Sequence, residues 1–152
     1  MYRSSAQYKD ACEIGKIEYS AAYRSLLNWI RIKQKGINIP QILQNDKWNE
    51  IIIVGAGDLC ELLIDEFKGS SVKVSGILDD NLKKYGNKYR NYGIKSVSEV
   101  DISFLQGKKL IVTYMDKYNS YVEKLSCKGI SVDSILSIEE LVAYILLKER
   151  AQ

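Results

Sequence analysis

The sequence predicts an α/β fold, an open parallel sheet with helices on both faces, preceded by an N-terminal helical extension. Three observations predict it. Ile51-Ile52-Ile53-Val54 is an unbroken β-branched run, the pattern of a strand covered on both faces, and it breaks at once into Gly55-Ala56-Gly57. Leu59, Leu62, Leu63 and Phe67 then recur at helical spacing, and Lys68-Gly69 supplies a cation and a stop. Val72 to Leu78 reads as a second strand, ending on the acidic pair Asp79-Asp80.

Strand, glycine turn, helix, strand and acid follow in the order that a dinucleotide requires. In that reading Gly55 makes the turn and Gly57 lets the backbone approach a pyrophosphate. The phosphate charge rests on the free N–H groups of the helix start. Asp79, with Asp80 beside it, stands where a carboxylate accepts from a ribose hydroxyl. Cys60 takes the place of the third glycine of the usual spacing. A plainer alternative is that Gly55 and Gly57 only shape a tight turn while Asp79 caps a loop. Binding requires the mouth formed by Gly57, Asp79 and Thr113 to be open, with Asp79 turned toward it.

A chain of 152 residues, 46% of them apolar, suits one well-buried domain, divided here into an N-terminal helical extension over 1–46 and the α/β unit over 47–152. With no membrane-length apolar run and no secretory leader, a cytoplasmic protein is expected. Cys12, Cys60 and Cys127 lack metal-ligand spacing, and the chain has no histidine, so no metal site is expected. The same lack of histidine disfavours triad chemistry. A net charge of +3, widely spread, lacks the footprint of a nucleic-acid binder, and no nucleic-acid partner is expected.

In chain order, residues 1 to about 14 are polar and unpatterned. A helix is expected from about Lys16 to Lys35, with Ile17, Ala21, Leu26 and Ile30 at helical spacing alongside Tyr19, Tyr23 and Trp29, and with Gly36 as its stop. It either packs on the domain or docks a partner or a second copy. Ile37 to Pro40 reads as a hinge before a short segment from Gln41 to Trp48, and Trp48 is expected to pack under the sheet.

After Asp80, the lysine- and tyrosine-rich stretch Leu82 to Gly93 reads as a loop, either a flap over a nucleotide or a solvated excursion. Ile94 to Val97 is a short strand, and Ser98 a candidate cap for a brief helical turn. Lys109 to Tyr114 is the next buried strand, placing Thr113 and Tyr114 at its tip as candidate walls of the site. Tyr118 to Lys128 reads as a helix stopped by Gly129, and a last short strand lies within Ile130 to Leu136. Ser137 and Glu140 have capping-box spacing at the start of a final helix through Lys148.

The stretch from Ile51 to about Val142 resembles the N-terminal Rossmann-like domain of bacterial polysaccharide-biosynthesis sugar-nucleotide dehydratases and epimerases. It is also similar to the N-terminal domain of sugar-nucleotide acetyltransferases. The matching residues are Val54-Gly55-Ala56-Gly57, Gly76-Ile77-Leu78-Asp79-Asp80-Asn81, Tyr92-Gly93-Ile94, Ser98-Glu99-Val100 and Ile111-Val112-Thr113. The resemblance implies a domain holding NAD or a UDP-sugar, with Gly55, Ala56, Gly57, Asp58 and Leu59 on the phosphates and Asp79 and Asp80 on the ribose. An acid at Asp79 repels a 2′-phosphate and favours NAD over NADP. The catalytic half of the dehydratases and the β-helix of the acetyltransferases have no counterpart here. The tyrosine and lysine four apart used by such enzymes find one match, Tyr144 and Lys148, in the terminal helix and away from the middle of the sheet.

Three readings follow: a nucleotide-binding domain of surface-polysaccharide metabolism without complete catalytic machinery; a small NAD-dependent sugar-nucleotide oxidoreductase with Tyr114 or Tyr118 as proton donor; or a degenerate module docking a partner, or forming a homo-oligomer, through its N-terminal helix. None of them calls for membrane insertion.

Overall fold

Six strands line up in the order β3-β4-β2-β1-β5-β6 in the computed structural model, which describes the backbone of residues 5–81 and 88–151 and the side chains from residue 20 onward within those ranges. They are β1 (Glu50–Val54), β2 (Lys73–Leu78), β3 (Lys88–Tyr89), β4 (Tyr92–Lys95), β5 (Lys109–Val112) and β6 (Ile135–Ser137). All neighbours pair in parallel except β3 and β4. The chain therefore starts in the middle at β1, runs outward through β2 and β4, then returns to the other side of β1 for β5 and β6. The fold is α/β and Rossmann-like.

Among the described residues six α-helices flank the sheet: α1 (Ser5–Gln34), α2 (Ile39–Asn45), α3 (Asp58–Phe67), α4 (Ile102–Leu105), α5 (Tyr118–Cys127) and α6 (Ile138–Arg150). Successive strand residues point to opposite faces, so the apolar run of β1 serves two cores at once. Ile51 and Ile53 pack with Trp29 and Ile32 of α1, Leu43 of α2, Leu63 of α3 and Leu141 of α6. Ile52 and Val54 pack instead with Leu105 of α4 and Tyr121 and Leu125 of α5. Residues 20–46 thus contribute side chains to the same core as the sheet.

Local signals act much as their chemistry dictates. Gly36 ends α1 at φ 69°, the Asn38 side chain accepts from the Gln41 N–H at 3.1 Å to open α2, and Ser137 Oγ accepts from the Glu140 N–H at 3.0 Å to open α6. Four features depart from expectation. Helix α1 starts at Ser5, well before Lys16; Ala6, Lys9, Ala11, Glu13 and Lys16 favour a helix without marking a face. Ile17 and Tyr19 lie outside the described side chains. Within the expected loop, residues 82–87 lie outside the described part, while residues 88–95 form a hairpin whose turn, Arg90-Asn91, takes φ 48° and 73°. Short α4 is opened by Asp101, whose Oδ1 accepts from the Ser103 N–H at 2.9 Å. The turn after β4 is held by Ser96, which accepts from the Glu99 N–H at 3.2 Å, in place of Ser98.

Candidate nucleotide-binding mouth

The strand order reverses at β1, so the carboxyl ends of β1 and β5 bound the crevice where open α/β sheets hold ligands. Gly55 leaves β1 at φ 109°, and Gly57 stands at the N-terminus of α3 with no side-chain cap on the first turn. That leaves helix-end amides of Gly57, Asp58 and Leu59 without intrahelical acceptors, which is what an anion would meet. A methyl group on Gly55 would lie 2.4 Å from Thr113 Oγ1, so only glycine fits against β5 here.

Asp79, at the tip of β2, is 2% exposed and fully engaged. Its Oδ2 accepts from the Ala56 N–H at 2.8 Å and from the Tyr114 hydroxyl at 3.0 Å, and its Oδ1 accepts from the Asn81 N–H at 2.8 Å. The carboxylate therefore staples β2 to the glycine turn. Thr113 is equally occupied, its hydroxyl shared between the carbonyls of Gly55 at 2.9 Å and Val54 at 3.1 Å.

Tyr114 closes the mouth. Its ring lies 2.9 Å from where a Gly55 Cβ would stand and 3.3 Å from that of Gly57, and Lys117 Nζ lies 5.3 Å from the ring centre. The turn is therefore covered by the protein's own side chain, and Asp79 faces that side chain, so the open mouth that binding requires is not the arrangement the structure holds.

Asp80 turns the other way. Its Oδ1 accepts from the Val97 N–H at 3.1 Å and its Oδ2 pairs with Lys124 Nζ at 2.7 Å. Desolvation pushes this carboxyl up, but the Lys124 and Val97 hydrogen bonds and the charges of Lys124 and Lys117 outweigh it and hold it below its ordinary value. Beyond this pair opens a groove of about 640 Å³ lined by Asp80, Ser96, Ser98, Lys124 and Lys128 among others. Sequence reasoning missed the lysines: Lys124 meets Asp80 across 44 residues, and nothing local to either marks the meeting.

The other candidates sit apart from the mouth. Tyr118 donates to the Ile135 carbonyl at 3.3 Å, and burial with a hydrogen bond to Glu140 pushes its hydroxyl up to about 12. Tyr144 and Lys148 both engage Asp46, and Tyr144 stacks on Trp48 with ring centres 5.5 Å apart. Since Trp48 precedes β1, this cluster lies at the amino-terminal edge of the sheet, opposite the mouth. Cys60 is buried, its thiol pushed up to about 12 by desolvation and then by the Asp79 charge. Arg90 pairs with Asp65 of α3 at 3.0 Å, which seats the hairpin beside that helix. Among the described residues no cluster of metal-ligating side chains occurs, and no helix is long and apolar enough to cross a membrane.

Sheet order and glycine turn together define the class, a Rossmann-like α/β domain. No family model matches the sequence, and no curated protein matches it. Among solved structures, RSP in complex with beta-NAD+ and operator DNA is similar, with 23% identity, a TM-score of 0.48, and coverage of 79% of this chain and 66% of that one. This chain thus spans just under two thirds of that chain, and the likeness concerns fold alone. One expectation is corrected by this finding. RSP holds operator DNA as well as beta-NAD+, so the exclusion of nucleic acid as a partner is withdrawn. Physically, cations scattered along a sequence can be gathered on one face by folding, so a modest and widely spread charge could not carry that exclusion.

Proposed function

We propose that the chain is a nucleotide-binding domain for a ligand carrying a ribose and a diphosphate, the chemistry common to NAD and to a UDP-sugar, and that Tyr114 gates its seat. The observation that carries this reading is the uncapped start of α3 behind a glycine turn, placed at the point where strand order reverses. When the Tyr114 ring swings off the turn, the amides of Gly57, Asp58 and Leu59 receive the diphosphate, and the Tyr114 hydroxyl releases one oxygen of Asp79 for a ribose hydroxyl. The groove beside Asp80 and Lys124 then takes the remainder of the ligand. Binding without turnover is the function proposed: the chain has no histidine, and burial first, then bonding to Glu140, pushes Tyr118 far from neutral pH. A role in surface-polysaccharide metabolism would follow if the ligand is the UDP-sugar.

A second reading has its own observation. The ring on the glycine turn and the stapled Asp79 also suit a degenerate site kept shut for structural reasons. Calorimetric titration of NAD and of UDP-sugars separates the two. Under the gating proposal Tyr114→Ala binds more tightly than the parent chain, by about the reciprocal of the open fraction, and Gly57→Val abolishes binding. Flat titrations of both the parent chain and Tyr114→Ala with every nucleotide refute the proposal and leave the degenerate reading.

A further inference from the structure

Among the described residues, one surface is apolar with nothing packed over it. Tyr23, Leu26 and Ile30 of α1 are 58%, 37% and 54% exposed, and Leu62 of α3 beside them is 47% exposed. Their spacing on α1 is that of a single stripe, and it runs along the side of the helix away from buried Ser25, Trp29 and Ile32. Between α1 and α3 the surface dips into a groove of about 730 Å³, floored by Trp29 and edged by Leu26, Ile30 and Leu62. A contiguous apolar strip rimmed by charge marks an interaction surface.

The charges around the strip are sorted by sign. From Ser20 to Gln34, α1 carries Arg24, Arg31 and Lys33 and no acid, whereas α3 carries Asp58, Glu61, Asp65 and Glu66 and no base. Lys33 bridges the groove to Glu66 at 2.9 Å, and Arg90 answers part of the α3 charge at Asp65 and Glu61. Glu61 and Asp65, though paired with Arg90, remain exposed on one flank, and Arg24 and Arg31 are exposed on the far flank of α1. Across the face the order is therefore carboxylates, apolar stripe, guanidinium groups.

We propose that this face is the interface of a homodimer, the occupant of the stripe being a second copy of the chain. A two-fold axis lying in the interface and running along the stripe reverses the order of the flanks. Apolar residues then meet apolar residues, while Arg24 and Arg31 of each copy face the α3 carboxylates of the other. An isologous interface must be self-complementary in this way, and few charge arrangements meet that condition. An anionic membrane suits the arginine flank and is repelled by the carboxylate flank. The proposal is independent of any nucleotide, because the face lies on the α1–α3 side and leaves the mouth at the strand ends untouched.

Sedimentation velocity over an about hundredfold range of concentration tests it. The parent chain is expected at twice the chain mass, and Ile30→Glu, which introduces a carboxylate into the stripe, weakens association at least about thirtyfold. The decisive experiment is a charge swap. Arg24→Glu/Arg31→Glu and Glu61→Lys/Asp65→Lys chains are each monomeric alone and form a heterodimer when mixed, because only the mixture places opposite charges on both flanks. Circular dichroism checks that each variant is folded. A monomeric parent chain at every concentration overturns the proposal, as does an oligomer indifferent to Ile30→Glu or swapped chains that fail to combine. Binding to anionic vesicles by a chain that does not self-associate overturns it as well.

Discussion

Substituting Gly55 and Gly57 separately tests how the mouth is built, because the two glycines are needed for different reasons. At Gly55 the backbone has φ 109°, and an added Cβ lies 2.4 Å from Thr113 Oγ1. Thr113 cannot yield: it is 3% exposed and its hydroxyl is held by two carbonyls. Positive-φ strain of about 1–2 kcal/mol and overpacking of about 1–3 kcal/mol give a cost on the order of 2–5 kcal/mol for Gly55→Ala. At about 2–4 °C per kcal/mol for a chain of this size, Tm falls by roughly 5–20 °C. Gly57, at φ −126°, is extended backbone that any residue adopts, and its nearest obstacle is the Tyr114 ring at 3.3 Å. Gly57→Ala should cost less than about 1 kcal/mol, since the ring can pivot. Urea unfolding followed by circular dichroism measures both, and adding Thr113→Ala completes a double-mutant cycle in which Gly55→Ala recovers about 1 kcal/mol or more. Equal costs at the two glycines, or a cycle without coupling, would refute this account of the turn.

Asp79→Ala strands the buried N–H of Ala56, and a loss of about 1–3 kcal/mol is expected in the same unfolding assay. Asp46 is held below its ordinary 3.8 by the Tyr144 hydrogen bond first and that of Lys148 second. Its contribution is therefore present above that value and lost as pH falls through the lower, folded one; the urea midpoint should drop more steeply with acid in the parent chain than in Asp46→Asn. In a Cys12→Ser background, exposed Cys127 should react promptly with a thiol reagent at mildly alkaline pH. Cys60, buried and pushed up to about 12 by desolvation, should react only on unfolding, and prompt reaction of both would contradict its placement.

Much of the architecture is legible in short-range pattern. The β-branched run of β1, the 3.6-residue periodicity of α3, the glycine stops and the Ser137 cap each act within a few residues, so sequence neighbours carry the signal. The hairpin Lys88–Lys95 was not legible, since its turn is Arg90-Asn91 and no glycine marks the left-handed positions. The start of helix α1 is not legible either, because its early residues favour a helix without presenting an apolar stripe.

What the sequence determined by itself was the order of the central strands and longer helices, without β3 and α4, and the presence of a glycine turn followed by an acid, because these depend on local backbone preference and apolar period. Tertiary structure alone decided what that acid does. Asp79 lies 23 residues from Ala56 and 35 from Tyr114, yet one carboxylate oxygen binds both. No window of sequence contains such a meeting: parallel pairing brings the tips of β1, β2 and β5 together only when the sheet is complete, and a side chain's partner is fixed there by geometry, not by neighbourhood along the chain.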